Sequence, residues 1–145
     1  MSSTVTISCI LNTTDPAAEL GFEAWIDNQK FCDIDHVQTQ RVISMEIADD
    51  EAEHTLIFVL KNKTDQHTQI DENNKIVTDA ILTVTDIAFD EIKLGHMVTK
   101  LAVYRHNFNG TQDTTQEEFY GEMGCNGTVS LKFATPIYLW LLEHM

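Results

Sequence analysis

The sequence predicts an all-β fold, an antiparallel β-sandwich of jelly-roll-like type with about eight to ten short strands. Two observations predict it. Short runs of β-branched and aromatic residues recur along the chain with apolar and polar residues alternating, and turn-forming residues separate these runs at near-regular spacing. Each strand hides one apolar face, and two stacked sheets hide both sets. The 145 residues, 43% of them hydrophobic, are typical of one domain, which we assign to residues 1–145.

Strand signals in the first half of the chain lie at residues 5–11, 22–26, 30–32, 43–47 and 55–60. The pair Asp27 and Asn28 has the residue types of a hairpin turn between the second and third of these runs. Residues 43–47 place apolar side chains on one face and polar ones on the other, which predicts a half-buried strand. Residues 55–60 are apolar on both faces, which predicts a central strand.

Strand signals in the second half lie at residues 80–85, 87–94, 98–104 and 129–133. Between the two halves, residues 61–78 form the longest polar stretch. Pro136 ends the last alternating run, because proline cannot donate to a strand ladder. The apolar segment 137–142 is either a final strand or one helical turn, and residues 15–20 are the only helix-like segment.

The charge balance excludes two classes of partner. With 23 acidic and 9 basic residues the formal net charge is −14, so the surface repels phosphate backbones and anionic lipid. We therefore expect neither nucleic acid nor a membrane as partner. Such a surface suits calcium or a basic protein patch, and solvation alone is the simpler interpretation.

The first residues contain no basic start followed by an apolar run, so we expect no signal peptide. No stretch approaches the length of a membrane-spanning helix. The chain contains three widely spaced cysteines, Cys9, Cys32 and Cys125, and no CxxC. This pattern favours free thiols made in a reducing cytosol, although one disulfide with an unpaired partner is the alternative.

No arrangement typical of an enzyme is found. Six histidines are scattered singly, without HExxH or other metal-ligand spacing, and there is no GxSxG and no glycine-rich phosphate cradle. Cys125 lies in the turn-like sequence Gly-Cys-Asn-Gly, and no base is assignable to it. We therefore predict a non-enzymatic protein.

Acidic loops supply candidate metal ligands. Asp71, Asn73 and Asp79 gather hard oxygen donors in one connection, together with Glu72, and calcium prefers several such oxygens. Residues 49–51 form a second acidic cluster. The spacing of an EF-hand loop is absent, and aspartate and asparagine also favour turns for backbone reasons. The sequence predicts no certain cofactor, and calcium is the one that Asp71, Asn73 and Asp79 would take.

Aromatic residues supply candidate binding platforms, since exposed rings stack on the apolar faces of sugars. The candidates are Trp25, Tyr104, Tyr120, Tyr138 and Trp140. We select Trp25 and Tyr104 as ligand-binding residues; core packing is the alternative for each. The apolar segment near the C-terminus supplies candidate interface residues, Ile137, Tyr138, Leu139 and Trp140.

Four segments resemble the calcium-assisted, xylan-binding type of carbohydrate-binding module and its jelly-roll relatives. They are GFEAWIDNQKFCDIDHV, ISMEIADDEAEHTLIFVLKNKT, DENNKIVTDA and TVTDIAFDEIKL, and residues 86–92 match the pattern best. The resemblance covers about residues 20–95 and implies a β-sandwich that binds polysaccharide, with calcium as an aid. Such modules usually accompany a catalytic domain, and we expect no catalytic partner domain here.

The general residue pattern of the whole chain resembles that of small virion proteins of marine tailed phages, of the cyanophage type. The resemblance is strongest in NKTDQHTQIDENNKIVTDA and VSLKFATPIYLWLLEHM. This resemblance implies a part of the particle, such as a capsid decoration or a tail-associated protein.

Two hypotheses of function follow. The first is a non-enzymatic virion structural or assembly module, located in the virion after synthesis in the host cytoplasm. Its partners would be other virion proteins or further copies of itself. The alternative is a carbohydrate-binding module that attaches to a host or to a polysaccharide.

Overall fold

The computed structural model describes residues 4–15, 18–63, 68–70, 72–73, 76–106 and 113–144. In chain order, its elements are β1 (Thr4–Thr13), β2 (Gly21–Ile26), β3 (Gln29–Ile34), β4 (Arg41–Ala48), β5 (Glu53–Lys61), β6 (Thr68–Ile70), β7 (Ile76–Asp79), β8 (Leu82–Phe89), β9 (Ile92–Lys93), α1 (Met97–Leu101), β10 (Ala102–His106), β11 (Thr115–Glu118), β12 (Glu122–Met123), β13 (Gly127–Ala134) and α2 (Ile137–His144).

Two antiparallel sheets form a sandwich, as the sequence predicts. One sheet has the order β12-β8-β1-β4, with β9 also paired to β8, and the other has the order β11-β10-β13-β5-β2-β3. A separate two-stranded ribbon pairs β6 with β7. The described part of the chain therefore has more strands than the eight to ten expected, because some of them are only two to four residues long.

The apolar residues that alternate with polar ones in the sequence are the residues that are buried in the structure. In β1, Val5, Ile7, Cys9 and Leu11 point into the core, and the residues between them are half-buried. Successive side chains on a strand point to opposite faces, so this pattern buries one face of the sheet. The largest fully buried side chains from both sheets and their connections are Phe22, Phe58, Phe89, Phe119, Ile7, Leu11, Leu20, Leu56, Leu60, Leu82, Met123 and Ile137.

The run 55–60 is central, as predicted, since β5 lies between β13 and β2. Cys9, Cys32 and Cys125 do not form a disulfide with one another. Burial raises the pKa of the Cys9 thiol to about 12, so it behaves as a small buried hydrophobe.

The helices differ from the sequence-based expectations. Of residues 15–20, the described ones contain no helix. The expected strand 98–104 begins instead with helix α1 and becomes strand only from Ala102. Positive φ at Gly95, 55°, reverses the chain just before α1, a conformation that glycine adopts without strain.

The segment 137–142, left open between strand and helical turn, is part of the two-turn helix α2. Ile137, Trp140 and Leu141 are its buried residues, at the i, i+3 and i+4 spacing of one helical face. None of the described helices is long and apolar enough to cross a membrane.

Candidate functional site

Tyr104 lies on the inner face of β10 and is only 5% exposed. Its hydroxyl accepts a hydrogen bond from the backbone N–H of Cys125 at 2.9 Å and donates one to the Cys125 carbonyl. Burial raises the pKa of Tyr104 far above its ordinary value, so the phenol stays protonated and keeps this donor. Tyr104 thus fixes the chain that follows β12.

A cleft of about 580 Å³ opens beside this contact, between β10, β11 and the chain around β12. We call it the Tyr120 cleft. Its lining residues are Ile81, Tyr104, His106, Glu117, Glu118, Tyr120, Glu122, Gly124 and Cys125. Its volume is within the range of about 300–1,000 Å³ that is usual for small-molecule sites.

Tyr120 is the exposed aromatic residue of the cleft, with 74% of its surface accessible. Its hydroxyl donates to Glu118 Oε2 at 2.7 Å, which raises the pKa of Tyr120. The preceding residue, Phe119, is fully buried and meets the Tyr104 ring edge-on, with 6.3 Å between the centroids. The buried Phe119 therefore holds the backbone in place next to the exposed Tyr120.

His106 forms the polar part of the cleft floor. It is 6% exposed, and its Nε2 lies 2.8 Å from Glu117 Oε2. Its ring packs against Tyr104 with 4.6 Å between the centroids. The buried imidazole therefore holds the Glu117 carboxylate in one orientation at the cleft.

Backbone contacts hold the wall of the cleft. Asn126 bonds to the backbone of Lys63 twice, accepting from its N–H at 2.9 Å and donating to its carbonyl at 2.8 Å. The Lys63 ammonium is buried and donates to the carbonyl of Gly124. Gly121, with φ of 95°, accepts from the Val84 N–H at 2.8 Å, in a conformation that favours glycine. The wall is therefore preorganised.

Trp25 lies on the other face of the same sheet. The register places Tyr104, Val129 and Phe58 in one inner row, whereas Trp25 is opposite Ile57 on the outer face. The two aromatic residues selected from the sequence are therefore not brought together. Trp25 is half-buried, and its Nε1 donates to Glu23 Oε1 at 2.9 Å.

Charged residues surround Trp25. Lys30 Nζ lies 5.5 Å from the centroid of its ring, and Lys61 Nζ lies 3.1 Å from Glu23 Oε2 and 2.6 Å from Asp33 Oδ1. The pKa values of Glu23 and Asp33 lie below their ordinary range, and the main cause is their hydrogen bonding to Lys61.

A broader groove of about 970 Å³ also lies on the outer face, beside α2. Thr55, Ser130, Arg105 and Lys132 are among its lining residues, and its aromatic rings, Phe133 and Trp140, are buried. Among the residues that the structure describes, the groove has no exposed aromatic platform, which distinguishes it from the Tyr120 cleft.

The candidate calcium ligands are only partly within the described structure. Asp71 lies outside the described residues. Asn73 is exposed in a turn, and Asp79 is opposite Thr68 in the ribbon of β6 and β7. Among the described histidine, cysteine, aspartate and glutamate side chains, no group of three or more is placed to hold a metal ion. The calcium site stays a prediction.

The second acidic cluster contributes to a different arrangement. His54 Nδ1 lies 2.7 Å from Asp27 Oδ2, and its Nε2 lies 2.8 Å from Asp50 Oδ1. The His54 side chain is 10% exposed and its ring stacks on Phe133 at 5.4 Å. No sequence motif indicates this group, because Asp27 comes from a turn that is distant from His54 in the sequence.

The four candidate interface residues divide between core and surface. Ile137 and Trp140 are buried, and Trp140 meets Phe89 edge-on with 5.7 Å between centroids. Tyr138 and Leu139 are each 55% exposed. Their role as an interface stays a prediction.

Sequence reasoning missed His106, Glu117 and Glu122 as site residues. They come from three different strands, β10, β11 and β12. The signals that pointed to the cleft were Tyr104 and Tyr120, among the candidate aromatic residues, and Cys125, which was considered as a nucleophile.

Comparisons with known proteins agree with the fold. No family model and no curated protein matches the chain. A solved structure described as "vCBM60 in complex with galactobiose" matches with a TM-score of 0.53 and 10% identity, covering 87% of this chain and 96% of that one. The neighbour is a carbohydrate-binding module with a sandwich fold, and at this identity the match shows the fold alone.

Proposed function

We propose that this protein is a non-catalytic carbohydrate-binding module that binds saccharide in the Tyr120 cleft. One observation carries the proposal: an exposed tyrosine flanks a cleft lined by three carboxylates and a buried histidine. Ligand sites in proteins combine apolar and aromatic surface with a few fixed polar groups. Sugars match this combination, because their rings have apolar C–H faces and a rim of hydroxyls.

Each lining group has a defined task in this proposal. Tyr120 stacks on one face of a sugar ring, while Glu117 and Glu118 accept hydrogen bonds from hydroxyls. Hydrogen bonds to an ionised acceptor are about twice as strong as neutral ones. His106 is already hydrogen-bonded to Glu117, so the pair meets the ligand in one orientation.

The structural neighbour supports this proposal as an analogy of fold. That protein is described in complex with galactobiose. Because one fold serves many functions, the chemistry of the cleft carries the argument and the shared fold adds weight to it.

Calorimetric titration of a saccharide panel tests the proposal. The panel contains galactobiose, xylotetraose and the tetramers of N-acetylglucosamine and glucosamine. We expect at least one to bind, and Tyr120→Ala to weaken it about tenfold or more, the loss typical of an aromatic anchor. Tyr138→Ala is the matched control, since Tyr138 is also exposed but lies on α2. No binding by any member, or equal losses in both variants, would contradict the proposal.

Docking to other subunits is a second candidate function. Tyr138, Leu139 and Leu142 expose apolar surface on α2, and Leu142 is 70% accessible. Exposed apolar patches favour protein contacts. The virion role predicted from the sequence would use this surface. Light scattering of the wild type and of Leu142→Glu tests it: a concentration-dependent oligomer that Leu142→Glu abolishes supports docking, and a monomer at all concentrations contradicts self-assembly.

A further inference from the structure

The charge of the Tyr120 cleft is one-sided. Its lining contains Glu117, Glu118 and Glu122, and among the described residues no lysine or arginine lines it. Lys63 contacts the wall of the cleft, where its buried ammonium donates to the Gly124 carbonyl. The connection between β10 and β11, residues 107–114, also contains no lysine or arginine in its sequence.

The three carboxylates differ in whether they already form a hydrogen bond within the protein. Glu117 is bonded to His106 and Glu118 accepts from Tyr120. Within the described part of the chain, the Glu122 carboxylate forms neither a hydrogen bond nor an ion pair. It is exposed at the cleft, on β12. A carboxylate without a partner beside an aromatic ring is complementary to a ligand with an apolar face and a positive charge.

The whole chain reinforces this local charge. With a net charge of −14, it attracts cations and repels polyanions over distances of about one Debye length. Sugars with uronate or sulfate groups would therefore meet repulsion both at long range and from the three glutamates. Neutral sugars would meet neither attraction nor repulsion.

We infer that the Tyr120 cleft selects saccharides that carry free amines, such as oligomers of glucosamine. The inference rests on the proposed function and specifies the ligand class of the same site. The sugar ring lies against Tyr120, and its ammonium pairs with Glu122 at the edge of the cleft. Glu117, held by His106, accepts from ring hydroxyls.

The test compares two ligands that differ only in their amines. Glucosamine tetramer and N-acetylglucosamine tetramer share ring, linkage and length, but only the first is charged. In calorimetric titrations at low ionic strength we expect the glucosamine tetramer to bind at least about tenfold more tightly. We expect this preference to shrink as salt is added, since salt screens an exposed ion pair.

Variants assign the preference to one side chain. Glu122→Gln keeps the size of the side chain and removes its charge. We expect the affinity for the glucosamine tetramer to fall about tenfold and the affinity for the N-acetylated tetramer to fall much less, so that most of the preference is lost. Glu46→Gln, an exposed glutamate on β4 at the opposite edge of the same sheet, is the matched control and should preserve the preference.

The outcomes separate the two proposals. Equal binding of both tetramers, or an unchanged preference in Glu122→Gln, overturns the inference and leaves the saccharide proposal standing. Binding of no panel member overturns both. An oligolysine of equal charge that binds as tightly as the glucosamine tetramer also overturns the inference, because the cleft would then recognise charge without a sugar ring.

Discussion

Tyr104 and Cys125 are joined through both backbone groups of the cysteine. The phenol accepts from the Cys125 N–H at 2.9 Å and donates to the Cys125 carbonyl. The two residues are 21 positions apart, so one side chain ties β10 to the wall of the Tyr120 cleft. A buried tyrosine that was selected from the sequence as a ligand platform therefore has a clear structural task.

Tyr104→Phe is expected to loosen this wall. The substitution keeps the ring but leaves a partly buried N–H and carbonyl without their partner, which costs about 1–3 kcal/mol of stability. We expect urea unfolding to show this loss and titration to show weaker saccharide binding. Tyr138→Phe removes a hydroxyl from an exposed residue and is the control. Unchanged stability in Tyr104→Phe would show that the contact is dispensable.

The group of Asp27, His54 and Asp50 gives a prediction for pH dependence. Burial lowers the pKa of His54, but the hydrogen bonds to the two carboxylates outweigh it, so the pKa lies above its ordinary value of about 6.5. A raised folded-state pKa stabilises the fold fully below the unfolded-state value, and this contribution is lost as pH rises through the folded-state pKa. The His54 bond lowers the pKa values of Asp27 and Asp50, so their contribution is lost at acid pH.

Urea unfolding measured from about pH 5 to about pH 8 tests this prediction. We expect the wild type to lose stability across the upper part of this range, and Asp27→Asn to lose less, because the amide keeps the shape but not the charge. His96→Gln removes an exposed histidine without a side-chain cap bond and should keep the wild-type profile. Identical profiles in the wild type and Asp27→Asn would refute the account of His54.

Cys125 lines the same cleft as His106 and Glu117, residue types that also occur in nucleophilic sites. For a binding module we expect the panel oligosaccharides to stay intact after long incubation. Cys125→Ser should bind them with affinity within about twofold of the wild type. Chromatography of the incubated sugars is the measurement. Cleavage by the wild type that Cys125→Ser abolishes would identify an enzyme instead.

Trp25→Ala separates the two faces of the six-stranded sheet. Trp25 is in the outer row with Ile57, so the substitution removes nothing from the Tyr120 cleft. We expect lower stability, because the contact with Glu23 is lost, and unchanged affinity for saccharide. A large loss of affinity in a folded Trp25→Ala protein would move the binding site to the outer face.

The sandwich could be predicted because its cause is local. The alternation of apolar and polar residues within a run such as β1 determines which side chains are buried. This alternation can be recognised in the sequence without knowledge of the partner strands. The sequence did not predict the helix α1, because Val98 and Thr99 have β-branched side chains, which favour strands. In the structure, Gly95 has a positive φ just before these residues, and the chain continues as a helix.

The cleft could be predicted only in fragments. Glu117 and Glu122 belong to strands in different sheets, so their proximity depends on how the sandwich closes. Asp27 and His54 belong to one sheet, and their proximity depends on the pairing of β2 with β5, which the local sequence pattern does not reveal. Tyr104, Tyr120 and Cys125 could be named from the sequence, since residue type alone suggests them.

Backbone amide NMR during titration with the glucosamine and N-acetylglucosamine tetramers tests saccharide binding in the Tyr120 cleft most directly. We predict shift changes concentrated at His106, Glu117, Tyr120, Glu122 and Cys125. Changes confined to the outer row of Trp25, Ile57 and Ser130, or no changes with either tetramer, would contradict the account.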